Sequence, residues 1–197
     1  MYRPLGHACG VAVLLAALAP GAVAQSPAAT KLAAAIMARL AALPDRDAAF
    51  TEQKRLASLE APLQSSGTLV FRHPAHLEKI TAVPRPERLV IDQGTLSIIS
   101  PGAAPQNVAL DAHPALQAMT TAIGAALAGD LPALQRVYAV DARGSLADWH
   151  MVLRPRSASL ARFITTITLD GAGADLHSFA LVQGNGDSQT LEIQPAR

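Results

Sequence analysis

The segment from Gly67 to Pro101 constrains the possible folds of this chain more than any other feature. Its apolar and polar residues alternate with a period of two, which is typical of β-strands. Pro74, Pro84 and Pro86 divide the segment, and each marks a strand end because proline is poorly tolerated inside a sheet. Asp92-Gln93-Gly94 lies between two apolar runs and has the composition of a tight hairpin turn. The segment therefore predicts several short antiparallel strands.

Further strands are predicted on both sides of this segment. Phe50 to Leu59 alternates loosely, and Gly184 to Asp187 is a second strong turn composition. Five closing strands are predicted at Val137–Ala142, Asp148–Arg154, Phe163–Leu169, Leu176–Gln183 and Ser188–Gln194. The sequence shows no repeat and no domain boundary. It therefore predicts a mainly β (α+β) domain, a single curved antiparallel sheet with one side in water and two helices over it.

Two segments have apolar residues at helical spacing, Ala28 to Leu43 and Pro114 to Ala128. The larger apolar residues of the second helix share one face, at Leu116, Met119, Ile123 and Leu127. Its opposite face includes Ala118, Ala122 and Ala125, and no Asp, Glu, Lys or Arg occurs between Asp111 and Asp130, so the helix is apolar nearly all round. Such a helix is either buried in the core or covers an apolar space as a mobile lid, and the sequence leaves both open.

Residues 1–24 have the three parts of a secretory signal peptide. Arg3 provides the positive start, Gly10 to Ala19 the apolar segment, and Ala22-Val23-Ala24 the cleavage site. The apolar segment is too short to span a bilayer as an anchor. The alanine-rich composition, with arginine favoured over lysine, is typical of a GC-rich bacterial source. We therefore expect export to the periplasm and a mature chain, residues 25–197, that forms one domain.

Cysteine content and charge narrow the function classes. The single cysteine, Cys9, precedes the apolar segment of the signal peptide, so we expect neither a lipid anchor nor a disulfide. Cleavage removes Arg3 and no acid, which leaves equal numbers of acidic and basic residues and disfavours nucleic acid as a partner. Charged residues make up 16% and hydrophobic residues 50%, against about a quarter charged in a typical domain. This balance indicates a large core or an apolar surface kept for a ligand.

Sequence signatures of catalysis are missing. The chain has no G-x-S-x-G, no G-x-G-x-x-G and no phosphate-binding loop, and Arg143-Gly144-Ser145 predicts a turn. His73 and His76 form H-P-A-H, but Pro74 places them on two strands, and no cysteine or neighbouring acid completes a ligand set. We therefore expect no enzyme, no cofactor and no metal site.

Taken in order, these elements resemble the LolA family, the periplasmic carriers of outer-membrane lipoproteins. Ala49-Phe50-Thr51-Glu52-Gln53 is similar to the family's A-x-F-x-Q opening strand, and Gly67-Thr68-Leu69 leads to Pro74, which ends the next strand. Leu89 to Leu96 (LVIDQGTL), followed by Pro101, looks like the family's LV-x-D-G-x-x-L hairpin. Later strands of the family are matched by Ile167–Asp170 and Leu176–Phe179.

The resemblance, which spans Ala28 to Ile193, implies an unclosed β-barrel with helices as a lid. An apolar cavity between sheet and lid would take up acyl chains. The expected lining is apolar and comprises Leu69, Phe71, Leu77, Leu89, Ile91, Leu96, Ile98, Met119, Ile123, Met151, Leu153 and Phe163. The sequence does not fix which face of Leu89 to Ile98 points inward.

Two positions are candidates for holding the lid. Lipoprotein carriers have an arginine, which holds the lid, immediately before the proline that ends the Gly-Thr-Leu strand. His73 occupies that position here, and Arg72 comes one residue earlier. Because side chains alternate along a strand, Arg72 is expected to face away from the cavity. With an ordinary pKa of about 6.5, a lid-holding His73 would make closure depend on pH. The alternative is a histidine that is simply hydrogen-bonded to the sheet.

These observations predict a non-enzymatic periplasmic carrier, or chaperone. It would bind the acyl chains of a lipoprotein or of another lipidated product and shuttle them toward the outer membrane. We expect a monomer, with an inner-membrane exporter and an outer-membrane acceptor as partners. One alternative is a periplasmic lipid sensor or adaptor for a membrane exporter. A less favoured one is a secreted hydrolase, whose activity would be lost on changing one serine or histidine.

Overall fold

The computed structural model describes residues 27–43 and 45–195, which form one antiparallel sheet and the helices that cover part of it. The predicted signal peptide and its cleavage site lie outside the described residues. The strands are β1 Asp45–Arg55, β2 Leu63–Arg72, β3 His76–Val83, β4 Glu87–Asp92, β5 Thr95–Ile99, β6 Gln106–Ala109, β7 Tyr138–Ser145, β8 Asp148–Pro155, β9 Ile164–Ala172, β10 Asp175–Gln183 and β11 Ser188–Pro195.

The eleven strands of the described part have the order β6-β5-β4-β3-β2-β1-β11-β10-β9-β8-β7. The two outermost strands, β6 and β7, do not pair with each other, so the sheet stays open. The β4–β5 hairpin turns at Gln93 and Gly94, whose φ angles of 45° and 77° are those of the turn that the Asp-Gln-Gly composition predicts. The predicted fold class, a single unclosed antiparallel sheet with helices, is confirmed.

Four α-helices occur in the described residues: α1 Pro27–Ala41, α2 Pro114–Ala128, α3 Leu131–Val137 and α4 Ala158–Ala161. The bounds of α2 are those predicted, and Gly129 ends it with a positive φ of 72°. Asp130 begins α3, because its carboxylate accepts a hydrogen bond of 2.8 Å from the Ala133 amide. The one-turn helix α4 was not predicted. It begins where the Ser157 hydroxyl accepts a hydrogen bond from the Leu160 amide.

One face of the sheet is mainly apolar on both sides of β1. Residues paired directly across neighbouring strands point to the same face. Phe71, Leu77, Ile91 and Leu96 form such a row across β2 to β5. A second row, across β8 to β11, consists of Met151, Leu169, Phe179 and Leu191. We call this apolar side the inner face and the opposite side the outer face.

The helices cover the inner face unequally. They pack mainly on β7 to β9 and on one another, so this half of the sheet is filled. Trp149, Met151 and Leu153 are at most 1% exposed there. On β4 and β5, the inward residues Leu89 and Ile98 stay partly exposed. We call β2 to β6 the open half and the remaining strands the filled half.

Helix α2 buries a different face from the one that its larger residues predicted. Its buried stripe consists of Ala118, Ala122 and Ala126, together with Leu127. Small side chains let the helix approach its neighbours closely: a Cβ added at Gly129 would lie 2.5 Å from the Ala41 Cβ of α1. The remaining faces of α2 are only partly buried, so α2 is not a fully buried core helix.

Candidate functional site

A cleft of about 630 Å³ separates α2 from the turns of the open half. One wall is the stretch of α2 and its C-terminus between Gln117 and Asp130. The other wall includes Leu77, Ile91 and the β4–β5 turn. In the middle of the helical wall, a Cβ added at Gly124 would meet no atom within 4 Å. The cleft has the volume of a small-molecule site, for which about 300–1,000 Å³ is usual.

A smaller inner cavity of about 250 Å³ lies next to this cleft. Leu77 lines both spaces, so they are neighbours. The apolar lining of the inner cavity includes Leu69, Phe71, Leu77, Ile123, Leu127, Leu176 and Ile193. Charged residues at its edge are Asp45, Arg46, Asp47 and Asp175. The inner cavity alone is smaller than usual ligand pockets, so an extended acyl chain would also need the cleft.

Five of the twelve expected lining residues border the inner cavity or the cleft. Leu69, Phe71, Leu77 and Ile123 line the inner cavity, and Ile91 lines the cleft. The register of β3 to β5 settles the orientation that the sequence left open. Three further expected residues share the inner face with these, at Leu89, Leu96 and Ile98.

The other expected lining residues lie elsewhere. Met151 and Leu153 are fully buried in the filled half, and Met119 packs against the core outside both linings. Phe163 is 55% exposed and borders a separate pocket of about 480 Å³ between α2, α3 and α4. It lies outside β9, which begins at Ile164, so the predicted strand boundary is corrected by one residue. The register shift at Val182 places Ile164 rather than Thr165 in the core.

Arg46 is the functional candidate that sequence reasoning missed. Its guanidinium donates hydrogen bonds to the Leu40 and Leu43 carbonyls at the end of α1 and to the Ala174 carbonyl in the β9–β10 turn. It therefore ties α1 to two parts of the sheet at the edge of the inner cavity. Burial lowers the pKa of Arg46, and the Asp175 carboxylate opposes that shift. The sequence signal was a charged residue at an inward position of β1.

A protein-family model described as "Outer membrane lipoprotein carrier protein LolA-like" matches residues 24–196. The chain belongs to this family. The predicted resemblance is thereby confirmed, and a LolA-like fold is typical of lipid- or lipoprotein-binding proteins of the carrier type. No curated protein sequence matches this chain.

Solved structures show distant likenesses. A LolA superfamily protein from Nitrosomonas europaea has 8% identity and a TM-score of 0.42, over 83% of this chain and 91% of that chain. The MucA/MucB complex of Pseudomonas aeruginosa has 12% identity and a TM-score of 0.43, over 83% of this chain and 56% of that chain. LprF from Mycobacterium bovis has 13% identity and a TM-score of 0.39, over 86% of this chain and 93% of that chain. The family assignment therefore rests on the sequence match.

Neither lid-holding candidate of this LolA-like chain bonds to a helix in the described part. Arg72 lies on the outer face, as expected, where its guanidinium pairs with Asp47 at 2.7 Å. His73 is exposed in the β2–β3 turn, and its amide donates to the Asp45 carboxylate at 3.3 Å. The lid-holding role of His73 and Arg72 stays a prediction. Arg46 makes the contacts with α1.

The outer face carries a charged cluster of its own. Glu78 is 8% exposed and accepts two hydrogen bonds of 2.8 Å from the Arg88 guanidinium and one from His76. The bonds from Arg88 hold the pKa of Glu78 below its ordinary value, and the bond from His76 adds to this. Asp92 lies 3.6 Å from the other ring nitrogen of His76. The cluster is on the opposite side of the sheet from the cleft.

Other kinds of site were sought in the same residues. Across residues 27–43 and 45–195, His, Cys, Asp and Glu side chains form no group of three that could hold a metal ion. His150 pairs with Asp170 at 2.5 Å on the outer face, and no serine joins this pair in the described chain. None of the described helices has the length and apolar character needed to cross a membrane.

Proposed function

We propose that this protein is a periplasmic, non-enzymatic carrier that holds acyl chains between α2 and the open half of its sheet. Its cargo would be a lipoprotein or another lipidated product, taken from an inner-membrane exporter and released to an outer-membrane acceptor. The mature protein would comprise residues 25–197 and act as a monomer.

The observation that carries this proposal is the cleft of about 630 Å³, which lies next to the inner cavity and shares Leu77 with it. Each methylene buried there contributes about 0.8 kcal/mol. Ten buried methylenes would contribute roughly 8 kcal/mol, which corresponds to a micromolar dissociation constant before the entropic costs of binding. Such binding needs no covalent step. Release requires only that α2 move back against the sheet.

The first experiment is to purify the mature protein from periplasm without detergent and to analyse extracted lipid by mass spectrometry. A stoichiometric acylated species supports the carrier and identifies its cargo. Uptake of the apolar fluorophore N-phenyl-1-naphthylamine provides the second measurement. A protein that is empty and takes up no fluorophore contradicts the proposal.

A matched pair of variants locates the bound chain. Ile91 lines the cleft, whereas Ile99 on β5 points to the outer face, opposite Arg88. Ile91→Asp should abolish fluorophore uptake because it places a charge on the cleft wall. Ile99→Asp should leave uptake unchanged. Equal loss in both variants would show that uptake reflects unfolding rather than the cleft.

The sensor and hydrolase alternatives predict different results. A sensor or adaptor would bind the same lipid but would form a stable complex with a membrane partner instead of releasing its cargo. Transfer of bound lipid to acceptor vesicles, with and without outer-membrane extract, separates the two. A hydrolase would turn over acyl esters and lose that activity in His150→Ala.

A further inference from the structure

Exposed large apolar side chains are concentrated at one rim of the sheet, where β1 and β10 end and β2 and β9 begin. Six large hydrophobic residues of the described chain are at least 40% exposed, and four of them lie at this rim, namely Leu59, Leu63, Phe163 and Val182. Hydrogen bonds join the segments that carry them. The Gly184 amide donates to the Phe163 carbonyl at 3.1 Å, and the Ala57 amide donates to the Asp187 carboxylate at 2.8 Å. The segments are therefore neighbours.

The same rim is rich in positive charge. Residues 54–63, 154–163 and 182–188, which we call the basic rim, contain only two acidic residues, Glu60 and Asp187. Their basic residues are Lys54 and four exposed arginines, Arg55, Arg154, Arg156 and Arg162. Within the described chain, none of these five forms an ion pair with a carboxylate. The basic rim therefore presents net positive charge beside exposed apolar side chains.

The opposite rim has the reverse charge. Three strands begin there with an aspartate, and a fourth ends there with one, at Asp45, Asp148, Asp175 and Asp92. The cleft lies at this rim as well, because the β2–β3 and β4–β5 turns and the end of β6 line it. The whole chain has a formal charge of only +1, so the two rims differ far more than the total suggests. An anionic surface would attract the basic rim and repel the rim with the cleft.

The basic rim has the size and chemistry to bind a lipid surface rather than a small anion. Its exposed apolar residues extend from β2 to β9, which are four strand spacings apart, or about 19 Å. A single small anion cannot contact side chains at both ends of such a distance, and it offers no apolar environment to Phe163. A bilayer supplies phosphates that pair with arginine and, just below them, a boundary region that accepts phenylalanine and leucine.

We propose that the basic rim docks on an anionic lipid bilayer, with Phe163 inserted between the lipid headgroups and with Arg55 and Arg162 at their phosphates. Phe163 is 55% exposed and follows Arg162 directly, so one short segment provides both an apolar and a cationic contact. In this orientation the cleft faces away from the bilayer, toward a partner that exchanges the cargo. The inference goes beyond the proposed function, because docking needs no ligand in the cleft.

Co-sedimentation with lipid vesicles tests the docking. The wild-type protein should bind vesicles that contain phosphatidylglycerol but not vesicles of phosphatidylcholine alone, and added salt should release it. An arginine near an anionic surface contributes about fivefold to affinity, so Arg162→Glu, which replaces a positive charge by a negative one, should weaken binding roughly thirtyfold. Absence of wild-type binding overturns the proposal and leaves an acidic protein as the occupant of the basic rim.

Arg143→Glu is the matched control for Arg162→Glu. It makes the same change of charge at a side chain that is 74% exposed, on β7 toward the opposite rim. Binding to the anionic vesicles should therefore stay close to that of the wild type. Equal losses in the two variants would show that only the total charge matters, and they would overturn the assignment to the basic rim.

Phe163→Trp measures the insertion itself. Trp149, the only native tryptophan, is 1% exposed and gives a background that the wild-type protein measures. When the anionic vesicles carry brominated acyl chains, the introduced indole should be quenched. An indole that stays unquenched in the bound protein overturns the insertion of residue 163. Phe163→Ser should weaken vesicle binding by roughly tenfold, because it removes the apolar contact.

Ile91→Asp separates docking from uptake of lipid into the cleft. This variant should take up no fluorophore but should bind anionic vesicles, since Ile91 lines the cleft and lies outside the basic rim. If Ile91→Asp loses vesicle binding as Arg162→Glu should, binding occurs through the cleft and the docking proposal fails. A wild-type protein that binds vesicles through the basic rim but takes up no fluorophore supports docking and contradicts the carrier proposal alone.

Discussion

Gly124 offers a way to block the cleft while making the protein more stable. It lies inside α2, lines the cleft, and has open space where a side chain would begin. Glycine inside a helix costs about 0.8–1 kcal/mol relative to alanine. Gly124→Ala should therefore raise the free energy of unfolding by about that amount, and Gly124→Leu by slightly less. Most substitutions that abolish ligand binding at a buried position also destabilise the fold, whereas these two should stabilise it.

The expected effects of the two variants on binding differ. The leucine side chain places four carbon atoms in the cleft and, by excluding about three ligand methylenes, should weaken fluorophore or lipid binding by roughly fiftyfold. The single methyl group of Gly124→Ala should cost about fourfold at most. Alanine is thus the control for the gain in helix stability.

Two assays measure these effects separately. Urea unfolding can be followed by the fluorescence of Trp149, the only tryptophan, which is 1% exposed. Fluorophore titration gives the dissociation constants. Wild-type affinity in Gly124→Leu would refute the assignment of the ligand to the cleft. A loss of stability above about 1 kcal/mol in Gly124→Leu would show that the space beside Gly124 is not open.

Three further variants test other parts of the structure. Arg46→Met removes the hydrogen bonds to α1 and should lower the urea-unfolding free energy by about 2–4 kcal/mol, whereas Arg72→Met, which breaks an exposed ion pair, should change it far less. Leu153→Ala in the filled half should cost about 3–5 kcal/mol in the same assay, whereas Leu89→Ala in the open half should cost about 1 kcal/mol or less and weaken fluorophore binding. The lowered pKa of Glu78 stabilises the fold above its ordinary value of 4.5, and this stabilisation is lost as the pH falls below that value. Glu78→Gln should make the free energy of unfolding depend less on pH below 4.5. An unchanged pH dependence would contradict the conclusion that Glu78 contributes to it.

The sheet was predictable because its signals are local. Alternation with a period of two, divided by prolines and by turns such as Gln93-Gly94, gave strands close to those observed. Helix α2 was bounded correctly by Pro114 and Gly129 for the same reason. Phe163 was misplaced because α4 and the register shift at Val182 interrupt an otherwise continuous alternation. Neither feature has a distinctive residue pattern.

The division into a filled and an open half was not predictable from local pattern. Leu153 and Leu89 are both inward-facing strand leucines, and only the position of the helices makes one fully buried and leaves the other partly exposed. The carbonyls that accept hydrogen bonds from Arg46 lie three and six residues before it and 128 residues after it. Contacts of this kind depend on how the sheet curves and on which strands become neighbours.

Two neighbouring parts of the structure account for the low charge and high hydrophobic content of the chain. In the filled half, apolar residues are buried by α1, and in the open half they face the cleft below α2. The two helices are in contact at Gly129, just after α2, and Ala41, the last residue of α1. The Arg46 guanidinium donates a hydrogen bond to the carbonyl of Leu40, the residue before Ala41. The hydrogen bonds that fix α1 on the sheet therefore also fix the C-terminal end of α2. Because that end forms part of the cleft wall, we expect changes in the packing of α1 to alter the width of the cleft.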